Sequence, residues 1–399
     1  KKMENLKYIL VFLIAGFFYI DTVYAGTNII KLGNFEIHPS LTAKESYNSN
    51  IFSENDEDGE KPDHDWFSTV IPGIDIMYPG ERFKIDLGYS ADIERYNQFA
   101  DENTEKHDAK AKVNITSPSK NYIFTFENNY KNTKDPLGDD EQSNDDLKRA
   151  DRIQNILKGS VEIKFGELAR LILDASNDYG KYDLSALKVE NKTRTTFGGS
   201  FYYKFWPKTS VTVNYHFGTI FYRDATLAEN SDSNNHSVRA GILIDPGGKL
   251  SGNASFGYKV KDFTDGVFKD NDANTYSTDV KLNWKPWDIT KFNLAASRSI
   301  EESSFGEGSF FIQSSVNLGL TQNISDKITG KLDGTYTLGD YPNADNRDDD
   351  KITVKIDLKY NLRDWLSFNA NYEYQNNNSN INSKDYKIHK TFLLLQTTF

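Results

Sequence analysis

The sequence predicts an all-β fold, a transmembrane antiparallel up-and-down β-barrel of about 18 strands with 16 as the alternative. Three observations predict it. Strands alternate between an apolar and a polar face, short connections alternate with long acidic ones, and aromatic residues gather at the strand ends.

The alternation has period two, the signature of a strand with one apolar and one wetted side. In RFKIDLGYSADIERY, Phe83, Ile85, Leu87, Tyr89, Ala91 and Ile93 share one face. Lys84, Asp86, Gly88, Ser90, Asp92 and Glu94 share the other. KITVKIDLKY repeats the device, with Ile352, Val354, Ile356, Leu358 and Tyr360 against Lys351, Thr353, Lys355, Asp357 and Lys359. Residues 211–221, 250–260, 276–284 and 366–374 do the same. After residue 25 no segment carries a helical stripe. A low mean hydropathy of −0.65 does not argue against membrane insertion, because only alternate residues of a barrel strand meet lipid.

The connections come in two kinds. Short ones are YPGER, SPSK, FGEL, WPKT, DPGGK, KPWD, NISDK and NLRD, recurring about every 40 residues, a spacing that marks an internal repeat. Between them lie long polar segments such as SENDEDGEKPDHD, NTKDPLGDDEQSNDD and GDYPNADNRDDD. This is the pattern of short periplasmic turns and long extracellular loops. A β-propeller also repeats near this length, but the strands here are too long, two per repeat, and no blade signature is present.

Aromatic placement supplies an independent sign, since Trp and Tyr favour membrane interfaces. Trp206, Trp284, Trp287 and Trp365 fall at short turns and form one expected interface girdle. Tyr47, Tyr96, Tyr130, Tyr179, Tyr222 and Tyr374 lie next to the long loops and form a second.

At the N-terminus, Lys7 leads into YILVFLIAGFFYI, and DTVYA places Val23 and Ala25 at the small-residue positions of a cleavage site. An apolar core of about 13 residues is too short to span a bilayer and reads as a cleaved signal peptide. The expected organisation is a leader over 1–25, a periplasmic segment over 26–34 and one outer-membrane barrel domain over 35–399.

Composition excludes several classes. The chain has no cysteine, so disulfide frameworks, thiol nucleophiles and thiolate metal sites are out. Its formal charge is −11; cleavage after Ala25 removes three lysines and two acids and leaves −12. An acidic chain is unsuited to general nucleic-acid binding. HExxH, GxSxG and phosphate-loop motifs are absent, and the six histidines are scattered, so no enzyme is expected. His216 reads as a lumen wall residue. Acidic ENDEDGEKPD and DNRDDD lack the spacing of a calcium loop; no metal and no cofactor are expected.

ESYNSNIF (residues 45–52), DWFSTVIPGIDIMYPGERFKIDLGYSADIERY (65–96) and NTEKHDAKAKVNI (103–115) resemble the opening of the putative β-barrel porin 2 family. The resemblance implies an outer-membrane barrel; some members are associated with exopolysaccharide or capsule loci. It covers about a third of the chain closely, the remainder sharing the hairpin rhythm described for membrane barrels, and it implies no catalytic residues. Such barrels typically end in an aromatic residue preceded by alternating apolar ones. Phe399, Leu395 and Leu393 match, and Thr397 and Thr391 depart. The last strand is thus expected to be the assembly signal and to pair with the first, removing the sheet's edges.

A closed sheet of about 18 strands is wide enough for a water-filled channel. Alternation assigns inward, pore-lining positions to Lys84, Lys110, Lys112, Lys158, Arg170, Arg194, Lys204, Lys259, Lys281, Lys331 and Lys355. Inward acids, among them Asp86, Glu127, Glu162, Asp174, Asp279, Asp357 and Glu373, are fewer. Rings of bases favour anions. The expectation is a porin-like channel for anionic solutes or exported exopolysaccharide. A plugged barrel with a structural or docking role is the alternative, and a barrel-embedded hydrolase is less favoured. Expected partners are outer-membrane lipids and lipopolysaccharide, the barrel assembly machinery through the C-terminal strand, and polysaccharide or export machinery.

Overall fold

The computed structural model describes residues 30–55, 62–134, 150–226, 230–244, 247–269, 272–303, 310–343 and 346–398. The leader over 1–25, most of the acidic segments ENDEDGEKPD and NTKDPLGDDEQSNDD, and Phe399 lie outside the described residues. The strands are β1 Ile30–Leu32, β2 Phe35–Asn48, β3 Asp65–Pro79, β4 Phe83–Tyr96, β5 Thr104–Thr116 and β6 Tyr122–Thr133. They continue as β7 Arg152–Phe165, β8 Ala169–Tyr182, β9 Lys192–Trp206, β10 Thr209–Tyr222, β11 Ser233–Ile244 and β12 Leu250–Phe263. The last are β13 Ala273–Trp287, β14 Thr290–Glu302, β15 Phe310–Asn323, β16 Ile328–Tyr341, β17 Arg347–Arg363, β18 Leu366–Ser379 and β19 Tyr386–Thr398.

Strands β2 to β19 each pair antiparallel with their sequence neighbours, and β19 returns to β2 from Lys390↔Asn48 to Thr398↔Ser40. The result is a closed 18-strand barrel with one extra strand. In hydrocarbon an unpaired N–H or C=O costs several kcal/mol, so closure is the condition for a sheet to span at all. The extra strand was not foreseen: β1 pairs with Phe35 to Ile37 through a turn at Gly33, whose φ of +63° suits glycine. It covers the stretch of the β2 edge that β19 leaves free.

Alternation keeps one sense through most of the ring. The apolar face is turned outward, exposing Leu87, Leu157, Phe197, Val213, Phe256, Leu318, Leu332, Ile356 and Leu393. Leu395 shares that face through Phe368 opposite. At the short-turn ends, register shifts re-aim side chains, as bulges do. One sets Trp206 opposite Thr209, on the side of Val211, and another sets Trp287 opposite Thr290, on the side of Phe292. Trp206 and Trp287 are consequently exposed on the outer face beside Trp284, which is there by regular alternation, and Trp365 is half-buried in the β17–β18 turn.

The loop end is built differently from the expectation. Tyr96 and Tyr222 turn inward and are buried, so they belong to the inner rim and not to an outer girdle. Tyr182 and Phe263 join them. Each of these four rings ends a strand, and its backbone N–H donates to Oδ1 of the Asn or Asp just before the returning strand. The partners are Asn103, Asn191, Asp232 and Asp272, at 2.7, 2.7, 2.8 and 2.9 Å. This side-chain acceptor closes the long loop as a turn would. Burial pushes the Asp232 carboxyl above its ordinary value, Asp265 adding to the effect and the Tyr222 N–H opposing it.

The outer girdle uses Tyr in a repeated diagonal. Hydroxyls of Tyr89, Tyr215 and Tyr372 meet Nδ1 of His107, His236 and His389 on the next strand at 2.9, 2.9 and 2.8 Å. Tyr258 and Tyr336 donate in the same diagonal sense to Asn274 and Asp350 at 2.6 and 2.9 Å. An apolar ring with a polar tip suits this boundary.

The two faces differ in what they tolerate. Leu318 is 62% exposed near the middle of β15 on the outer face, whereas Ser297 is exposed on the inner face of β14 beside Asp279 and Ser315. Leu318→Arg is expected to lower folding free energy into lipid vesicles by about 2–4 kcal/mol. Ser297→Arg is expected to change it by less than about 0.5 kcal/mol. Urea titrations in vesicles measure both.

Candidate functional site

Register decides which side chains share the inner face, and the row Asp86, Lys112, Glu127, Lys158, Ser176, Thr196 and Gly218 can be followed across seven strands. Cross-barrel contacts identify this face as the inside: Tyr222 on β10 donates to Glu302 on β14 at 3.1 Å. By the same register Lys84, Lys110, Lys112, Lys158, Arg170, Arg194, Lys204, Lys259, Lys281, Lys331 and Lys355 all lie on the inner face. Across the strands that face holds more Lys and Arg than Asp and Glu.

Those eleven side chains have different surroundings. Lys110 lies 3.5 Å from Asp108, Lys112 3.8 Å from Glu127 and Lys355 3.0 Å from Glu373. Arg170 and Lys281 each lie 4.0 Å from a carboxylate, Glu162 and Asp279. Wet pairs of this kind are worth about 0–1 kcal/mol, so they leave these bases free to exchange partners. Lys281 is 69% exposed at its side chain. Among the described residues Lys84, Lys158, Arg194, Lys204 and Lys331 have no carboxylate within 4.0 Å. Lys259 donates to Ser299 Oγ at 3.0 Å and to the Ile300 carbonyl at 2.7 Å.

That last contact belongs to a feature the sequence reading missed. Pairing of β13 with β14 stops at Thr278↔Arg298, whereas β14 and β15 stay paired to Glu302↔Phe310. Beyond Arg298 the β14–β15 end leaves the wall and tucks inside it. Alternation would send Ile300 and Phe310 outward; instead they are buried in a cluster with Phe263 and Ala273 from the inner faces of β12 and β13. Each such Ile or Phe contributes about 1.5–3 kcal/mol on full burial.

An ion pair fastens the tuck. Glu302, also on the outward parity, meets Lys261 Nζ at 2.5 Å, and Lys261 is 0% exposed. Lys261 further donates to Ser233 Oγ at 3.0 Å and lies over the Phe263 ring at 4.9 Å. The signal available in the sequence was a breach of alternation: Glu302 stands on the apolar parity of its strand and Phe311 on the polar parity of the next.

Elsewhere on the wall, His216 Nε2 lies 3.6 Å from Asp174 Oδ1 although a whole strand, β9, separates them. Gly198 makes this possible, because a Cβ there would fall 2.3 Å from the His216 ring and 2.5 Å from Asp174 Oδ2. Among the described residues no group of three or more His, Asp or Glu side chains could hold a metal ion.

Residues 26–399 match the family described as putative beta-barrel porin 2. The chain belongs to that family. Among solved structures, OpdK of Pseudomonas aeruginosa with vanillate aligns at a TM-score of 0.51 and 11% identity, covering 91% of this chain and 98% of that chain. The FrpB iron transporter of Neisseria meningitidis, F5-1 variant, aligns at 0.51 and 9% identity, covering 88% of this chain and 64% of that chain. The present chain thus spans less than two-thirds of FrpB. At these identities the likeness establishes the fold, that of an outer-membrane porin-like barrel. No curated protein matches the sequence.

Breaking a buried pair strands the surviving charge, at about 3–5 kcal/mol, whereas replacing both partners by apolar groups is far milder. Lys261→Met is therefore expected to lower the stability of the vesicle-inserted barrel by that amount in urea, and adding Glu302→Leu to restore most of it. Additive losses would mean that the two groups do not act as a pair.

Proposed function

We propose that this barrel is a diffusion conduit in the outer membrane of a Gram-negative bacterium, with anionic solutes as its cargo and exported acidic exopolysaccharide as the leading candidate. The observation that carries the reading is the inner face, where bases outnumber acids in a chain whose total charge is −11. Lys84, Lys158 and Lys331, all exposed on that face, have no carboxylate within 4.0 Å among the described residues. A wall of unpaired or weakly paired bases attracts anions without holding them, which is what passage requires.

In this reading the chain is secreted after cleavage at Ala25 and delivered to the assembly machinery through its last strand. Its outer loops then face lipopolysaccharide. It performs no catalysis, and His216, which meets Asp174 across Gly198, is a wall residue. A second reading, a closed barrel that docks a partner at its surface, draws on the buried aromatic rim and on the tucked β14–β15 end, both of which narrow the loop end.

Planar-bilayer recordings separate the two. Refolded mature protein is expected to give stable conductance steps with a reversal potential on the anion-selective side in a salt gradient. The triple change Lys84→Glu, Lys158→Glu and Lys331→Glu, which leaves the tuck untouched, is expected to move the potential to the cation-selective side. Absence of conductance from a folded barrel would favour the docking role, and unchanged selectivity in the triple variant would remove the basic wall from the account.

A further inference from the structure

We infer that the lumen contains a discrete binding subsite for a carboxylate-bearing, hydroxylated solute about the size of one sugar acid, held between Arg194, Arg239 and Lys259 beneath the tucked end of β14. The inference rests on the reading of the lumen as a route for anions and gives that route a stopping point.

A pocket of about 230 Å³ lies between the inner face of β9 to β13 and the segment Ser299 to Glu302. It is smaller than the roughly 300–1,000 Å³ of drug-sized sites, and small side chains keep part of its floor low beside His216 and Ile220. Gly218 on β10, Ser237 on β11 and Ser277 on β13 all line the pocket, and bulkier residues there would fill the space. Thr196 and Asn235 add a hydroxyl and an amide to the same floor.

The bases around it carry unused hydrogen-bonding capacity. Arg194 makes no hydrogen bond or ion pair among the described residues. Arg239 has a buried Nε without a partner, and its Nη1 reaches Ser277 Oγ only at 3.5 Å. A buried guanidinium donor left unmatched is costly, and a carboxylate is its best-matched acceptor because two parallel N–H groups can meet two oxygens. Lys259, fixed by Ser299 Oγ and the Ile300 carbonyl, supplies a third positive charge at the roof.

Acids on the rim set the charge the site accepts. Glu302 is engaged by Lys261 and Tyr222, and its charge also acts on Arg194 and Lys259, so together with Glu301 it offsets part of the positive field of the three bases. Glu301 also lines the pocket. Its charge disfavours a multiply charged anion such as phosphate and leaves room for a single carboxylate. The floor hydroxyls and amide then face a hydroxylated body.

The test uses the refolded full-length barrel in detergent, its folding checked by heat-modifiable migration, with glucuronate as probe and glucose as neutral control. Calorimetry is expected to show glucuronate binding and no glucose binding. Arg194→Gln with Arg239→Gln is expected to weaken glucuronate by about tenfold or more, the loss of strong charge-assisted bonds. Glu301→Gln, which removes a repelling charge, is expected to tighten it severalfold. Glucuronate binding no tighter than glucose, unchanged affinity in the double variant, or inorganic phosphate binding as tightly as glucuronate would each overturn the subsite.

Reversal potentials on the same preparation keep the two readings apart. Anion selectivity without glucuronate binding removes the subsite and leaves the conduit; binding without conductance does the reverse. An oligogalacturonate that binds more tightly than its monomer points to a polymer as the source of the carboxylate, and equal affinity to a free acid; either supports the subsite.

Discussion

Everything in this molecule follows from the pairing of β19 with β2. A sheet in hydrocarbon must satisfy each backbone N–H and C=O within itself, and the nine pairs from Lys390↔Asn48 to Thr398↔Ser40 close the ring that does so. Closure in turn divides the strands into a lipid side and a lumen side, which is why residues of opposite character alternate along most of them. The conventional hydrophobic core is displaced: large apolar side chains are spread over the outside, and compact burial is found at the loop end, under Tyr96, Tyr182, Tyr222, Phe263, Tyr341 and Tyr386.

That displaced core shapes the passage. Where β14 and β15 leave the wall, four apolar side chains that two separate faces would otherwise show to lipid and water cover one another. The buried Lys261–Glu302 pair, bonded also to Ser233 and Tyr222, fixes position more than it adds stability. The consequence for the lumen is asymmetry. The β9 to β13 wall gains an overhang with a pocket beneath it, and the opposite wall keeps its long exposed lysines, such as Lys110 and Lys355.

Most of the ring was legible in the sequence because two local signals suffice for it. Period-two alternation located the strands, and the eight short connections with Pro, Gly or Asp located the turns that the structure shows near Gly80, Pro118, Gly166, Pro207, Gly247, Asp288, Ser325 and Asp364. The inner position of Tyr96 was also legible, since it shares parity with Glu94 and not with Ile93; nearness to a loop was the wrong criterion. What local pattern does not encode is where a strand end quits its neighbour. The tuck depends on Ile300 finding Phe263 and Ala273 on strands that its own alternation says nothing about, and Glu302 and Phe311 registered it only as residues on the wrong parity. The pocket inherits that difficulty, because its wall and roof meet only through the tuck.

A conduit requires the inner face to bound a continuous aqueous passage. Because the chain has no cysteine, single cysteines report on it cleanly. Lys331 and Leu332 are adjacent near the short-turn end of β16, the first on the inner face and the second exposed on the outer face. A membrane-impermeant charged maleimide applied from the loop side of the intact membrane reaches position 331 only through the lumen. The account expects Lys331→Cys to be labelled and Leu332→Cys to be spared. Labelling of neither would contradict an open passage, and labelling of both would contradict the two-faced wall itself.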